Sequence, residues 1–192
     1  MTATYETNGT MMGEPAKDWS AQFCEDAIFV PVSPDAVFDA LLDVGRWNDW
    51  WVMMRFLPDG DGPLESGKRI EFDGGINRWT VVVGAIGRPR RIGLRYAAGD
   101  LLGDAEWRIA PEKGGCRVSY VYLGVRAAAE RAAATFGRFG TRLHTMVMQA
   151  DALPGLVRLM TGRALDETWR QSVRDSVQAG REALIALEDR GR

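Results

Sequence analysis

Between Trp51 and Val125 the chain is cut by Gly, Pro and Asp into short segments, and this punctuation constrains the fold more than any other feature. The segments are Trp51–Leu57, Lys68–Phe72, Arg78–Ile86, Arg91–Ala98, Asp104–Ala110 and Cys116–Val125. They read as an antiparallel meander. Arg91, Arg95, Glu106, Arg108, Arg117 and Ser119 fall out of phase with Ile92, Leu94, Tyr96, Ala105, Trp107, Ile109, Val118 and Tyr120. One face of the sheet is therefore wet and the other aromatic and aliphatic. Ala21–Val32 adds a strand ahead of the meander, giving seven.

Helical segments flank the strands. Ser33 stands as an N-cap, Pro34 sits where a missing N–H costs nothing, and Asp35 favours the positive helix end. Val37, Phe38, Leu41 and Leu42 recur at helical spacing until Gly45 interrupts them. Trp47, Trp50 and Trp51 follow, a large aromatic area at one corner, where a cavity is expected to begin. From Ala127 the alanine-rich AAAERAAATFGRF is a helix former, Thr141–Ala150 is ambiguous, and Pro154–Leu187 is helical with an irregularity near Thr161–Gly162. Leu165, Trp169, Val173, Val177, Leu184 and Leu187 make the apolar stripe of the last helix. Ser172, Ser176 and Gly180 lie beside it, either leaving room against the sheet or allowing close packing. Arg170 and Arg174 read as a solvated face.

With 192 residues, 46% of them hydrophobic, the chain can bury ~70% of its surface as one domain. That α+β domain is placed at residues 20–190, behind a polar tail at residues 1–19. A formal charge of -2 argues against nucleic acid or an anionic membrane as partner. The chain begins with no cationic start followed by an apolar run, and no stretch reaches the ~18 apolar residues of a membrane span, so a cytoplasmic location is expected. Cys24 and Cys116 read as reduced thiols in strands.

Gly62 to Lys68 approximates a phosphate loop, but Arg69 stands where a hydroxyl should be and a strand follows where a helix should. An ordinary loop is the better reading. With one histidine and no paired CxxC, neither a multi-histidine metal site nor any cofactor is expected. That histidine, His144, falls in the ambiguous segment, and a cavity-facing position would make it a proton-transfer group. Tyr96, Tyr120 and Tyr122 share the inward phase, where hydroxyls could polarise a ketone or protonate an enolate. Together with His144 they are the candidate catalytic residues. Trp79, Trp107 and Trp169 take the inward phase too and, with Trp47, Trp50 and Val173, are the candidate ligand-binding wall for a planar, polycyclic molecule. Arg69, Glu71, Glu106 and Arg108 read as surface pairs, and Asp43 and Asp49 as caps.

Strand, helix, Trp-containing short helix, meander and long terminal helix together resemble the START and Bet v 1-like (SRPBCC) superfamily, most closely its polyketide cyclase/dehydrase-like group. The residues that carry the likeness are Phe29–Trp51, Ala105–Val125 and the terminal helix. The resemblance implies a helix-grip fold, in which a curved seven-stranded antiparallel sheet wraps the last helix around a space for a hydrophobic small molecule. It implies an enzyme, a lyase or isomerase, that folds a poly-ketone chain and promotes its closure and dehydration. Many members of the wider superfamily are instead non-catalytic carriers or sequestering proteins. Arg126–Leu153 is longer than the usual run from last strand to last helix, and is expected to form an extra helical lid. Its alanine-rich part could also pack against a second copy as a homodimer.

Overall fold

The protein is described by a computed structural model covering residues 20–137 and 139–190; the expected tail at residues 1–19 lies outside these. β1 (Gln22–Val30) is followed by α1 (Pro34–Leu42), a 3-10 turn (Val44–Arg46) and α2 (Trp47–Trp50). The meander is β2 (Arg55–Pro58), β3 (Arg69–Asp73), β4 (Arg78–Gly87), β5 (Arg91–Gly99), β6 (Leu101–Glu112) and β7 (Gly115–Ala127). The seven strands form one antiparallel sheet in the order β1-β7-β6-β5-β4-β3-β2. Pairing slips between Leu102 and Ala105. There Gly103 adopts φ +132°, and a Cβ on it would lie 2.5 Å from the Gly124 carbonyl oxygen, so only glycine allows the bend.

Ser33 caps α1 as expected, its Oγ accepting from the Ala36 amide at 3.3 Å. α1 buries Val37, Phe38 and Leu41, and the Trp47 indole N–H donates to the Leu41 carbonyl at 3.1 Å, tying the two short helices together. The strand expected from Trp51 begins only at Arg55. The reason is Asp151, whose carboxylate accepts from the Val52 and Met53 amides, both at 2.8 Å, and turns the chain before it can extend. Gly62–Lys68 is a loop before a strand, and Lys68 Nζ is consumed inside it, donating at 2.9 Å to the carbonyls of Asp61 and Gly62.

The insertion is helical: α3 (Glu130–Ala132) and a π-helical turn (Ala133–Gly137), then α4 (Thr141–Val147), a second π-helical turn (Met148–Ala152) and α5 (Leu153–Met160). α5 rides on the backbone of α2, since a Cβ on Gly155 would lie 1.9 Å from the Trp50 carbonyl oxygen. α6 (Glu167–Arg190) packs Trp169, Val173 and Val177 on Val52, Met53, Met146, Val147 and Ala150. The insertion thus shares the space beneath the sheet with α6 and does more than cover it. Of the two readings of the small-residue stripe, Gly180 supports close packing: a Cβ there would lie 2.4 Å from Met146 Sδ.

Five expectations for single residues change. Arg170 is not a solvated residue, because its Nη2 donates to the Asp49 carbonyl at 2.6 Å and clamps α6 to the Trp corner. Glu106 is buried, being covered by Arg108 and Arg91. Leu187 is 56% exposed, past the end of the stripe's partners. Asp43 makes no side-chain capping bond and Asp49 pairs with Arg46 instead.

Candidate functional site

A cavity of about 190 Å³ opens between the concave face of the sheet and the insertion. Phe72, Trp79, Tyr96, Tyr120 and Tyr122 form its sheet wall, while Phe136, Leu143, His144 and Met148 are among the insertion residues opposite. Trp79 stacks on Tyr96 at 15° and 5.8 Å between centroids, which makes one wall flat. Among the described residues of α6, Val177 and Arg181 reach the cavity.

The sequence-predicted catalytic residues meet here. Tyr96 and Tyr120 share a hydrogen bond of 2.7 Å between their hydroxyls. The His144 ring lies 3.9 Å from that of Tyr122 and 5.7 Å from that of Tyr120. Burial pushes all three phenols well above their ordinary range, so at neutral pH they are neutral donors.

A residue not foreseen completes the group. Asp26, on the inward face of β1, takes His144 Nδ1 at 2.9 Å, and both side chains are nearly inaccessible, at 4% and 6%. Burial pushes the Asp26 carboxyl up, but bonds from His144, Gln149 and Thr145 outweigh it and hold the group below its ordinary value. The second imidazole nitrogen, Nε2, is buried and has no hydrogen-bond partner. An anchored carboxylate on one nitrogen and an unoccupied second nitrogen are what a proton-transferring histidine requires. The trace in the sequence is that Asp26 is in phase with Cys24, Ile28 and Val30, an acid among inward residues.

Cys24 Sγ lies 3.4 Å from His144 Nδ1. Cys24, Asp26 and His144 keep their ligating atoms within 4.8 Å of one another and could together hold a metal ion. Burial and then the Asp26 charge push the Cys24 thiol up to about 11, so ligation would have to displace a proton from sulfur.

Of the predicted ligand wall, Trp79 lines the cavity. Trp47, Trp50, Trp107, Trp169 and Val173 do not: the first three are fully buried in the core and the last two join α6 to the insertion. Trp51, absent from the expected wall, does line it. The inward phase was right for Trp107, but its ring is spent edge-on against Tyr120 at 4.6 Å.

Comparison with known proteins gives concordant results. A family model described as polyketide cyclase/dehydrase and lipid transport matches residues 24–187. Among curated proteins none matches this sequence. Solved structures similar in fold include a protein from Arthrobacter aurescens, 14% identical with a TM-score of 0.56 over 79% of this chain and 93% of its own. Another, from Thermus thermophilus, is 15% identical with a TM-score of 0.53 over 82% of this chain and 97% of its own. A third, from Mycobacterium smegmatis, is 14% identical with a TM-score of 0.52 over 76% of this chain and 94% of its own. No helix among the described residues is long and apolar enough to cross a membrane.

Proposed function

We propose, from the premise that this chain belongs to the polyketide cyclase/dehydrase and lipid-transport family, that it takes a hydrophobic, ketone-bearing molecule into the cavity and promotes ring closure with loss of water. The observation that carries this is the Asp26–His144 pair, whose imidazole belongs to a cavity-lining residue and keeps Nε2 without a hydrogen-bond partner. His144 Nε2 takes a proton from a carbon between two carbonyls. The enolate, its oxygen accepting from whichever of the Tyr96 and Tyr120 hydroxyls is not donating to the other, attacks a second carbonyl carbon of the same molecule and forms the new carbon–carbon bond. The imidazolium returns the proton to the resulting alkoxide. A second removal and return at the same nitrogen expels that hydroxyl as water and leaves a double bond. Asp26 is a positioning residue that holds the ring and balances the imidazolium.

Conformation supplies much of the rest, since holding a chain in one near-attack conformer is worth up to ~7–11 kcal/mol in the best intramolecular cases. At about 190 Å³ the cavity is below the ~300–1,000 Å³ of drug-sized sites. The enclosed body is therefore one or two rings, with any longer polyketide-derived or polycyclic remainder extending through the mouth. A non-catalytic carrier or sequestering protein is the second reading, favoured by the otherwise apolar wall.

The test is to delete the chain in its producing organism and restore it as wild type or as His144→Gln. An uncyclised isomer, or a product heavier by one water, that wild type clears and the variant clears ~10²–10⁴ times more slowly supports catalysis. Equal clearance by both, or a change only in the amounts of unaltered products, leaves the carrier.

A further inference from the structure

Several arginines of this fold meet carboxylates. Arg78 meets Asp73, Arg88 meets Asp35 and Asp39, Arg95 meets Asp104, Arg117 meets Glu112 and Arg131 meets Asp100. Among the described residues, Arg181 is the arginine that lines the cavity. It is half-buried and forms no ion pair with any described residue. Val177, one turn earlier on α6, lines the cavity too, so the helix aims this face at the interior. Among the described residues no carboxylate lines the cavity, and Asp26 is engaged by His144.

A guanidinium fork matches a carboxylate in two parallel bonds, and one cation balances one negative charge.

We infer that the cavity holds an aromatic carboxylate of one or two rings, which on the catalytic reading is the closed product, its carboxylate held by Arg181 and its ring laid against the flat Trp79–Tyr96 wall. This rests on the cavity being the ligand site and names the class of molecule that fills it. It does not depend on His144 being a catalyst.

The experiment is a fluorescence titration of the full chain with 2-naphthoate and with 2-naphthamide, which has the same body and no charge, at low salt, for wild type and Arg181→Met. A charge-assisted bond predicts that wild type prefers the acid by about tenfold or more. Arg181→Met should abolish that preference while leaving the affinity for the amide unchanged. Equal affinities in wild type, an acid preference that survives the substitution, or no binding of either compound up to its solubility overturns the inference. Should Arg181 govern binding while His144→Gln still clears product in the deletion strain, only the catalytic reading fails.

Discussion

Replacing Asp151 with Asn should change how stability depends on pH, by an amount and with a sign that the structure fixes. Asp151 is wholly buried, and burial raises its carboxyl from 3.8 to about 6 despite the bonds from Val52 and Met53 and the nearby Arg170 charge. Moving a carboxyl that far costs about 3 kcal/mol of stability once it is ionised. The unfolded chain gives up this proton near pH 3.8 and the folded chain near 6, so between those values the folded state binds more protons. Stability from this residue is therefore fully present below pH 3.8 and is lost as pH rises through about 6. Asn carries no charge but can accept only one of the two amides, and its own NH₂ faces the other, at a cost of ~1–3 kcal/mol. At pH 4 the variant should thus be less stable than wild type by that amount, whereas at pH 7 the two should be level or the variant ahead. Urea unfolding followed by tryptophan fluorescence at pH 4, 5, 6 and 7 reads the difference directly. Groups shared by both chains cancel, including Asp26, whose lowered carboxyl acts in the opposite sense and below pH 3.8. A wild-type-minus-variant difference that stays constant from pH 4 to 7 would refute the reasoning.

Gly155→Ala should destabilise by about 3 kcal/mol or more, read as a fall in Tm, because α5 must lift off the Trp50 carbonyl. Gly180→Ala should cost about 1 kcal/mol, since the clash is with the movable end of Met146. Lys68→Met should lower stability by ~1–3 kcal/mol by removing the donor to the Asp61 and Gly62 carbonyls. ATP should not raise the Tm of wild type, and a nucleotide-dependent rise would show that the loop binds phosphate after all. Tyr120→Phe should cost about 1 kcal/mol in unfolding free energy through the lost 2.7 Å bond to Tyr96.

The strands were legible because their signal is local. Alternation along β5 to β7 placed Tyr96, Trp107, Tyr120 and Tyr122 on the inner face, and the helix-start chemistry of Ser33 and Pro34 fixed the entry to α1. What alternation cannot tell is which inward residues border empty space and which fill it. Trp107 and Trp79 look alike in the sequence; one packs on Tyr120 and Trp51, while the other faces the cavity. The site's acid was missed for a related reason. Asp26 pairs with His144 across a separation of 118 residues, and nothing near either residue announces the other. The insertion resisted reading because α4 and α5 meet through a π-helical turn, which shifts the apolar period in mid-segment and left Thr141–Ala150 ambiguous.

The hydrogen bond between Asp26 and His144 joins two separate elements, a strand at the margin of the sheet and a helix of the insertion. On the catalytic reading it would serve as a latch as well as a relay. If the insertion swings aside to admit a molecule, the imidazole leaves its carboxylate, and the open form has lost its oriented base. Admission and chemistry then occupy alternate phases of a cycle whose pace is set by the latch. On the catalytic reading, a turnover rate that follows solvent viscosity in wild type and ceases to do so in Asp26→Asn would be its kinetic mark.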